Sequence, residues 1–217
     1  MAKRKLPLET FQKYGAIFEN ISKNETLKNV LSEYGYDEQE ITKGKNLYDF
    51  AVEKLDISKR TTTEEKLAYD DFSKKYDTLK KTYSEDRKKA KVIFKNEEKK
   101  QSALGVKGVL ATKFSVLLDM MDTFYKQLQS NEELSTPLKP LKITEEYIAS
   151  QLEKIEEVKQ ANFNYTNKKG KSQQATLDKD VAFWEVETWV TKFYGIAKIV
   201  LKDQPQLLES IGKSIRT

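Results

Sequence analysis

Ala90-Lys91-Val92-Ile93-Phe94-Lys95 reappears 107 residues later as Ala197-Lys198-Ile199-Val200-Leu201-Lys202, and Leu104-Gly105 answers Ile211-Gly212 at the same shift. Moving outward at that shift, Tyr14, Ile17, Phe18 and Ile21 fall on Met121, Phe124, Tyr125 and Leu128. Asn24-Glu25 falls on Asn131-Glu132, and Leu27 on Leu134. In mid-repeat the match drops to a shift of 102, where Ile41-Thr42 meets Ile143-Thr144, and it recovers before Ala197. One register at both ends is hard to obtain from chance helical periodicity. The chain therefore reads as one helical unit written twice, repeat 1 over 7–105 and repeat 2 over 106–212, together forming a single domain.

Composition agrees with long helices. Lys, Glu, Leu and Ala are plentiful, whereas four prolines and eight glycines are few breakers for 217 residues. Each repeat reads as a helix, a short connecting segment, a second helix, a polar loop, and a long third helix ending at glycine. In repeat 1 the first helix starts near Pro7 and carries Phe11, Tyr14, Ile17, Phe18 and Ile21 on one face. A short helical turn follows from Asn24 to Tyr34 and stops at Gly35. Asp37 with Glu40 forms a capping box for the next helix, and Thr61-Thr62-Thr63 breaks that helix, with Thr62 and Glu65 capping its successor. Phe72, Tyr76, Leu79, Tyr83, Asp86, Ala90 and Ile93 then follow at alternating spacings of four and three, a coiled-coil-like seam.

Repeat 2 keeps this rhythm in Leu110, Phe114, Leu117, Met121, Phe124 and Leu128. Pro137 and Pro140 fix the connection, and Thr144 caps the next helix with Ile143 and Ile148 as a hydrophobic staple. The polar stretch from Asn162 to Gln174 reads as a helix-hairpin loop. The last long helix has the seam Phe183, Val186, Val190, Phe193, Ala197 and Val200, and Pro205 opens a short terminal helix with Leu207, Leu208 and Ile211. Strand periodicity is nearly absent. The expected fold is all-α, an elongated antiparallel helical bundle of about six main helices with pseudo-two-fold symmetry. At 1.5 Å per residue, each third helix is roughly 40 to 55 Å long.

The chemistry is bounded by what is missing. The chain has no histidine and no cysteine. That excludes a Ser-His-Asp triad, a Cys-His pair, zinc held by nitrogen and sulfur ligands, and the Glu-x-x-His di-iron bundle. Gly170-Lys171-Ser172 resembles the end of a phosphate-binding loop, but Tyr165 stands where that motif needs glycine, and a hairpin turn accounts for the triplet. Asp119 and Asp122 lie three apart and read as a solvated pair rather than as metal ligands. Asp86 interrupts the seam where repeat 2 has Phe193. Because Arg87, Lys88 and Lys89 follow it, the seam is expected to have left the core there. No catalytic, metal-binding or cofactor residues are assigned, and no enzyme activity is expected.

Two surfaces remain. All of the net charge of +5 sits in residues 1–108, where 24 Lys/Arg stand against 19 Asp/Glu and Lys88, Lys91, Lys95 and Lys99 read as a basic stripe on the end of a long helix. With Lys3-Arg4-Lys5, these lysines are the candidate nucleic-acid contact. Only four of the 39 basic residues are arginine, and no aromatic residue interleaves the stripe for base stacking. The last long helix is apolar over more than the ~100° stripe of an ordinary surface helix. Trp184 and Trp189, five residues apart, point about 140° from each other. With Leu207, Leu208 and Ile211 they form the candidate protein interface.

The sequence thus favours a non-enzymatic bundle acting through protein contacts, as an assembly, scaffold or adaptor component that binds a protein partner or itself. Nucleic-acid binding through the lysines is the alternative. No apolar run is long enough to span a membrane and no secretory leader is visible, so the expected location is the cytoplasm.

Overall fold

The computed structural model describes residues 6–212, and no strand occurs among them. The helices are α1 (Leu8–Lys23), α2 (Glu25–Ser32), α3 (Glu38–Ile93), α4 (Glu98–Ala103), α5 (Phe114–Ser130), α6 (Glu132–Ser135), α7 (Glu145–Val200) and α8 (Pro205–Ser210). A 3-10 turn, Thr136–Leu141, lies between α6 and α7. Helices α3 and α7 have 56 residues each.

Several starts are set by side-chain caps. The Asn24 side chain accepts from Leu27 N–H at 3.0 Å, and Asn131 accepts from Glu133 N–H at 2.9 Å. Asp37 accepts from Glu40 N–H at 2.9 Å, and Thr144 accepts from Tyr147 N–H at 3.3 Å. Each cap satisfies an amide that the first turn of a helix leaves without a partner. Gly35 turns the chain into α3 with φ +84°, a left-handed conformation that glycine adopts at little cost. Lys142, at φ 66°, does the same before α7.

Residues divide into two compact units, one of Met1–Thr63 with Gly170–Thr217, the other of Glu64–Lys169. The first unit takes the front of α3 and the back of α7, and its core joins Phe11, Ile17, Phe18, Ile21, Leu27 and Leu31 to Phe183, Val186, Trp189, Val190 and Phe193. Within it α3 and α7 run antiparallel, since Glu40 meets Trp189, Ser58 meets Thr176 and Thr62 meets Ser172. The second unit takes the back of α3 and the front of α7, and its core joins Leu79, Tyr83, Ala90 and Phe94 to Leu117, Met121, Phe124, Tyr125, Ile148 and Ile155. These helices are antiparallel there too, with Glu64 beside Lys168, Tyr69 beside Tyr165 and Asp86 beside Tyr147.

Two expected breaks do not occur. Thr61-Thr62-Thr63 lies inside α3, and each hydroxyl donates back to a carbonyl four residues earlier, to Ile57 (3.0 Å), Ser58 (2.8 Å) and Lys59 (3.1 Å). The threonines therefore satisfy themselves within the helix instead of capping a new one. The polar stretch 162–174 is likewise helix, not a hairpin loop. Tyr165 packs on Phe72 and Tyr69, Lys168 pairs with Glu64 at 2.7 Å, and Ser172 is buried. Local helix propensities of Asn, Thr and Gly each cost less than about 1 kcal/mol, and partners on α3 offset that. Gly170-Lys171-Ser172 is consequently mid-helix and forms no phosphate loop.

The mid-repeat shift of 102 also fails. Thr144 caps α7, whereas Thr42 is inside α3. The position equivalent to Thr144 in role is Asp37, at a shift of 107. Helix α5 begins at Phe114, so Leu110, the first residue of the expected rhythm, lies before it.

Candidate interaction surfaces

Trp189 and Trp184 have opposite fates, as their angular separation requires. Trp189 is buried in the first unit, stacked on Phe193 at 5.3 Å between ring centroids and edge-on to Tyr36 at 5.8 Å. Its indole N–H donates to Glu40 Oε1 at 2.9 Å. Glu40 was expected to complete the Asp37 capping box, and its carboxylate instead serves as the polar anchor of the tryptophan. Leu208 and Ile211 belong to the same core, and Leu207 packs against it half-buried. Three of the five residues expected at an interface, Trp189, Leu208 and Ile211, are therefore interior.

Trp184 stays 46% exposed, and it is not alone. Leu177 is 60% and Val181 52% exposed on the same helix. Spacings of four and three place all three on one face of α7. On a helical wheel Asp178 and Glu185 lie along one side of this row, and Asp180 and Glu187 along the other. The result is an apolar ridge of three large side chains bordered by four carboxylates. Residues Leu177 and Val181 escaped the sequence reading, which attended to the tryptophans; the four-three spacing was the available signal.

The lysines do not form the expected single stripe. Helix α3 ends at Ile93 and α4 begins at Glu98, so Lys95 and Lys99 are not on the helix that carries Lys88 and Lys91. Lys91 is half-buried, and its ammonium donates to the carbonyl of Gly108 at 3.2 Å. Lys88, Lys95 and Lys99 are exposed; Lys88 lies one turn before Val92, an aliphatic side chain 74% exposed in the last turn of α3, and Lys95 follows that turn. Lys3-Arg4-Lys5 lies outside the described residues.

Asp86 did not leave the core. It is 1% exposed in the second unit, where Oδ2 accepts from the hydroxyls of Tyr125 (2.9 Å) and Tyr147 (2.7 Å), and Oδ1 from Lys89 (2.9 Å). Burial, and then the carboxylate beside them, push both phenols well above their ordinary range. Each hydroxyl thus stays a proton donor to Asp86, and the cluster ties α3, α5 and α7 together. The neighbouring Arg87 is buried too, and donates to the carbonyls of Lys107 and Gly108. This is an architecture of fixed donors and acceptors.

A groove of about 480 Å³ in the first unit is floored by Phe18, Ile21, Tyr36 and Ile41. Its two lysines are engaged, Lys28 with Glu25 at 2.6 Å and Lys45 with Asp49 at 2.5 Å. Asp122 is bound to Lys126 at 2.6 Å and lies 3.7 Å from Lys159, while Asp119 is exposed. Among the described residues no group of three or more carboxylates could hold a metal ion. No helix is long and apolar enough to cross a membrane, again among the described residues. The chain matches no family model, no curated protein and no solved structure.

Proposed function

We propose that this chain is a non-enzymatic, internally duplicated helical bundle that works through protein contacts, as an assembly, scaffold or adaptor component. The observation that carries the reading is the Leu177/Val181/Trp184 ridge. Single exposed apolar residues are ordinary, but three large ones in register on one rigid helix are the pattern of a docking face.

Support for the tandem duplication comes from positions rather than identities. The caps Asn24 and Asp37 recur as Asn131 and Thr144, left-handed Gly35 and Gly105 as Lys142 and Gly212, and the bounds of α2, α3 and α4 recur in α6, α7 and α8 at their starts, all at 107. Long-range pairs recur with the copies exchanged: Ser58 beside Thr176 in one unit corresponds to Tyr69 beside Tyr165 in the other. In this reading each unit combines the front of one repeat with the back of the other, a pseudo-two-fold arrangement. Duplication would leave one copy free to diverge. The ridge fits that history, because Asp70, Lys74 and Asp77 stand at its three positions in repeat 1.

The test is site-specific photocrosslinking in the cells that make the protein. A crosslinking side chain at Val181 is expected to capture a protein, and one at exposed Lys154 to capture none. No adduct at Val181, or equal adducts at both sites, rejects the ridge as the working surface.

A further inference from the structure

We infer that the occupant of the α7 ridge is a second copy of this chain, presenting the lysine-rimmed end of α3. This rests on the proposed protein-contact reading and names its partner. The two surfaces are complementary in both components. The ridge offers Leu177, Val181 and Trp184 between Asp178 and Glu185 on one side and Asp180 and Glu187 on the other. The end of α3 offers Val92, 74% exposed, with Lys88 one turn before it on the same helix and Lys95 just after it, its backbone N–H donating to the Val92 carbonyl, both exposed, and exposed Lys99 following on α4. An aliphatic centre meets an aromatic-aliphatic one, and a lysine rim meets a carboxylate rim. Such matching steers association and fixes orientation.

The counterpart of Val92 in the second repeat is Ile199, 72% exposed beside Lys198 and Lys202. Gly195 and Gln206 stand there in place of Lys88 and Lys99, so the rim is weaker. The Val92 end is therefore the better match. Because the ridge and the Val92 end are different surfaces, the contact is heterologous. After two molecules pair, one keeps an unused ridge and the other an unused Val92 end, and association continues beyond a dimer unless a ring closes.

A heterologous contact makes a prediction that a self-complementary one does not. Trp184→Glu removes the ridge and leaves the lysine end intact. Val92→Glu with Lys95→Glu removes the lysine end and leaves the ridge intact. All three altered side chains are exposed, and unchanged thermal melts by circular dichroism establish that both variants fold. In light scattering after size exclusion, wild-type protein is expected to grow in mass with concentration. Its association is expected to weaken at least about tenfold between 0.1 and 1 M salt, as the screening length falls from about 10 to about 3 Å. Each variant alone is expected to remain at the 25.2 kDa chain mass. Their equimolar mixture is expected to form a dimer of twice that mass and stop there. Wild-type protein that stays at the chain mass throughout, a variant that still associates alone, or a mixture that does not dimerise overturns the inference. If that happens while the Val181 crosslinker still captures a different protein, the docking face stands and only its occupant is wrong.

Discussion

Gly44 on α3 and Trp189 on α7 occupy one another's space. A Cβ added at Gly44 would overlap the Cε2 and Cζ2 atoms of the indole and lie 2.7 Å from Cη2. The absent side chain lets the ring lie flat against the helix, where its N–H reaches Glu40 one turn earlier.

Exchanging glycine for alanine inside a helix ordinarily stabilises it by about 1 kcal/mol. At Gly44 the sign should reverse. Gly44→Ala is expected to destabilise the protein by roughly 1 to 3 kcal/mol, the usual cost of overpacking a filled core. Chemical denaturation followed by tryptophan fluorescence measures this directly. Stabilisation would mean that the indole is not seated on α3.

The two tryptophans should separate stability from association. Trp189→Ala removes a ring 7% exposed and leaves a cavity, with an expected loss of roughly 3 to 5 kcal/mol. Trp184→Ala should change stability by no more than about 0.5 kcal/mol, as exposed substitutions do. Denaturation midpoints decide it, and equal losses would place both rings in the core.

Two carboxylates of α3 anchor aromatic donors from α5 and α7: buried Asp86 accepts from Tyr125 and Tyr147, and half-buried Glu40 accepts from Trp189. Asp86→Ala strands the buried hydroxyl of Tyr125 and the part-buried one of Tyr147 and is expected to cost roughly 3 to 5 kcal/mol. Asp86→Phe combined with Tyr125→Phe and Tyr147→Phe removes the acceptor and both hydroxyl donors together, leaving the part-exposed Lys89 ammonium to solvent, and should regain most of that loss. If the triple variant is no more stable than Asp86→Ala, the cluster contributes through its shape and not through its hydrogen bonds.

Much of this was legible from residues with strong local rules. Asn24, Asp37, Thr144 and Gly35 act at helix ends, where one side chain or one φ decides the outcome, and the apolar faces of α1 and α5 follow from period alone. Long-range partners decided the rest. Thr61 to Thr63 look like a break until α7 lies alongside, and 162–174 looks like a loop until Tyr165 finds Phe72. Asp86 reads as a seam leaving the core because its neighbours are basic. Its tyrosine donors are 39 and 61 residues away, out of reach of any local pattern. The Ile-Thr match at a shift of 102 was likewise a local identity between positions that play different roles.

Helix continuity through Gly170 has its own test. Nothing lies within 4 Å of a Cβ added there, and its φ is not in the left-handed region. Gly170→Ala should therefore stabilise the protein by about 0.5 to 1 kcal/mol through reduced freedom of the unfolded chain. A turn that needed glycine would lose stability instead, so the sign of the shift in the denaturation midpoint distinguishes a continuous α7 from a hairpin.

Alkaline pH should unfold the protein through its tyrosines. Burial raises the phenols of Tyr14, Tyr83, Tyr125, Tyr147 and Tyr194 above the ordinary value of 10.0, with Tyr194 pushed up to about 12. A folded-state value above the unfolded one means that the native protein holds these protons more tightly. Their contribution is complete below pH 10 and declines as pH rises, for Tyr194 through about 12. Tyr194 also donates to the carbonyl of Ile211 at 2.8 Å, a bond that its ionised form cannot make. Phenolate absorbance and helical circular dichroism should therefore change together in one cooperative step. Tyr194→Phe should weaken the folded state at neutral pH and make its decline with rising pH shallower. Smooth phenolate titration near the ordinary value, with helicity intact, would show that these rings are open to solvent.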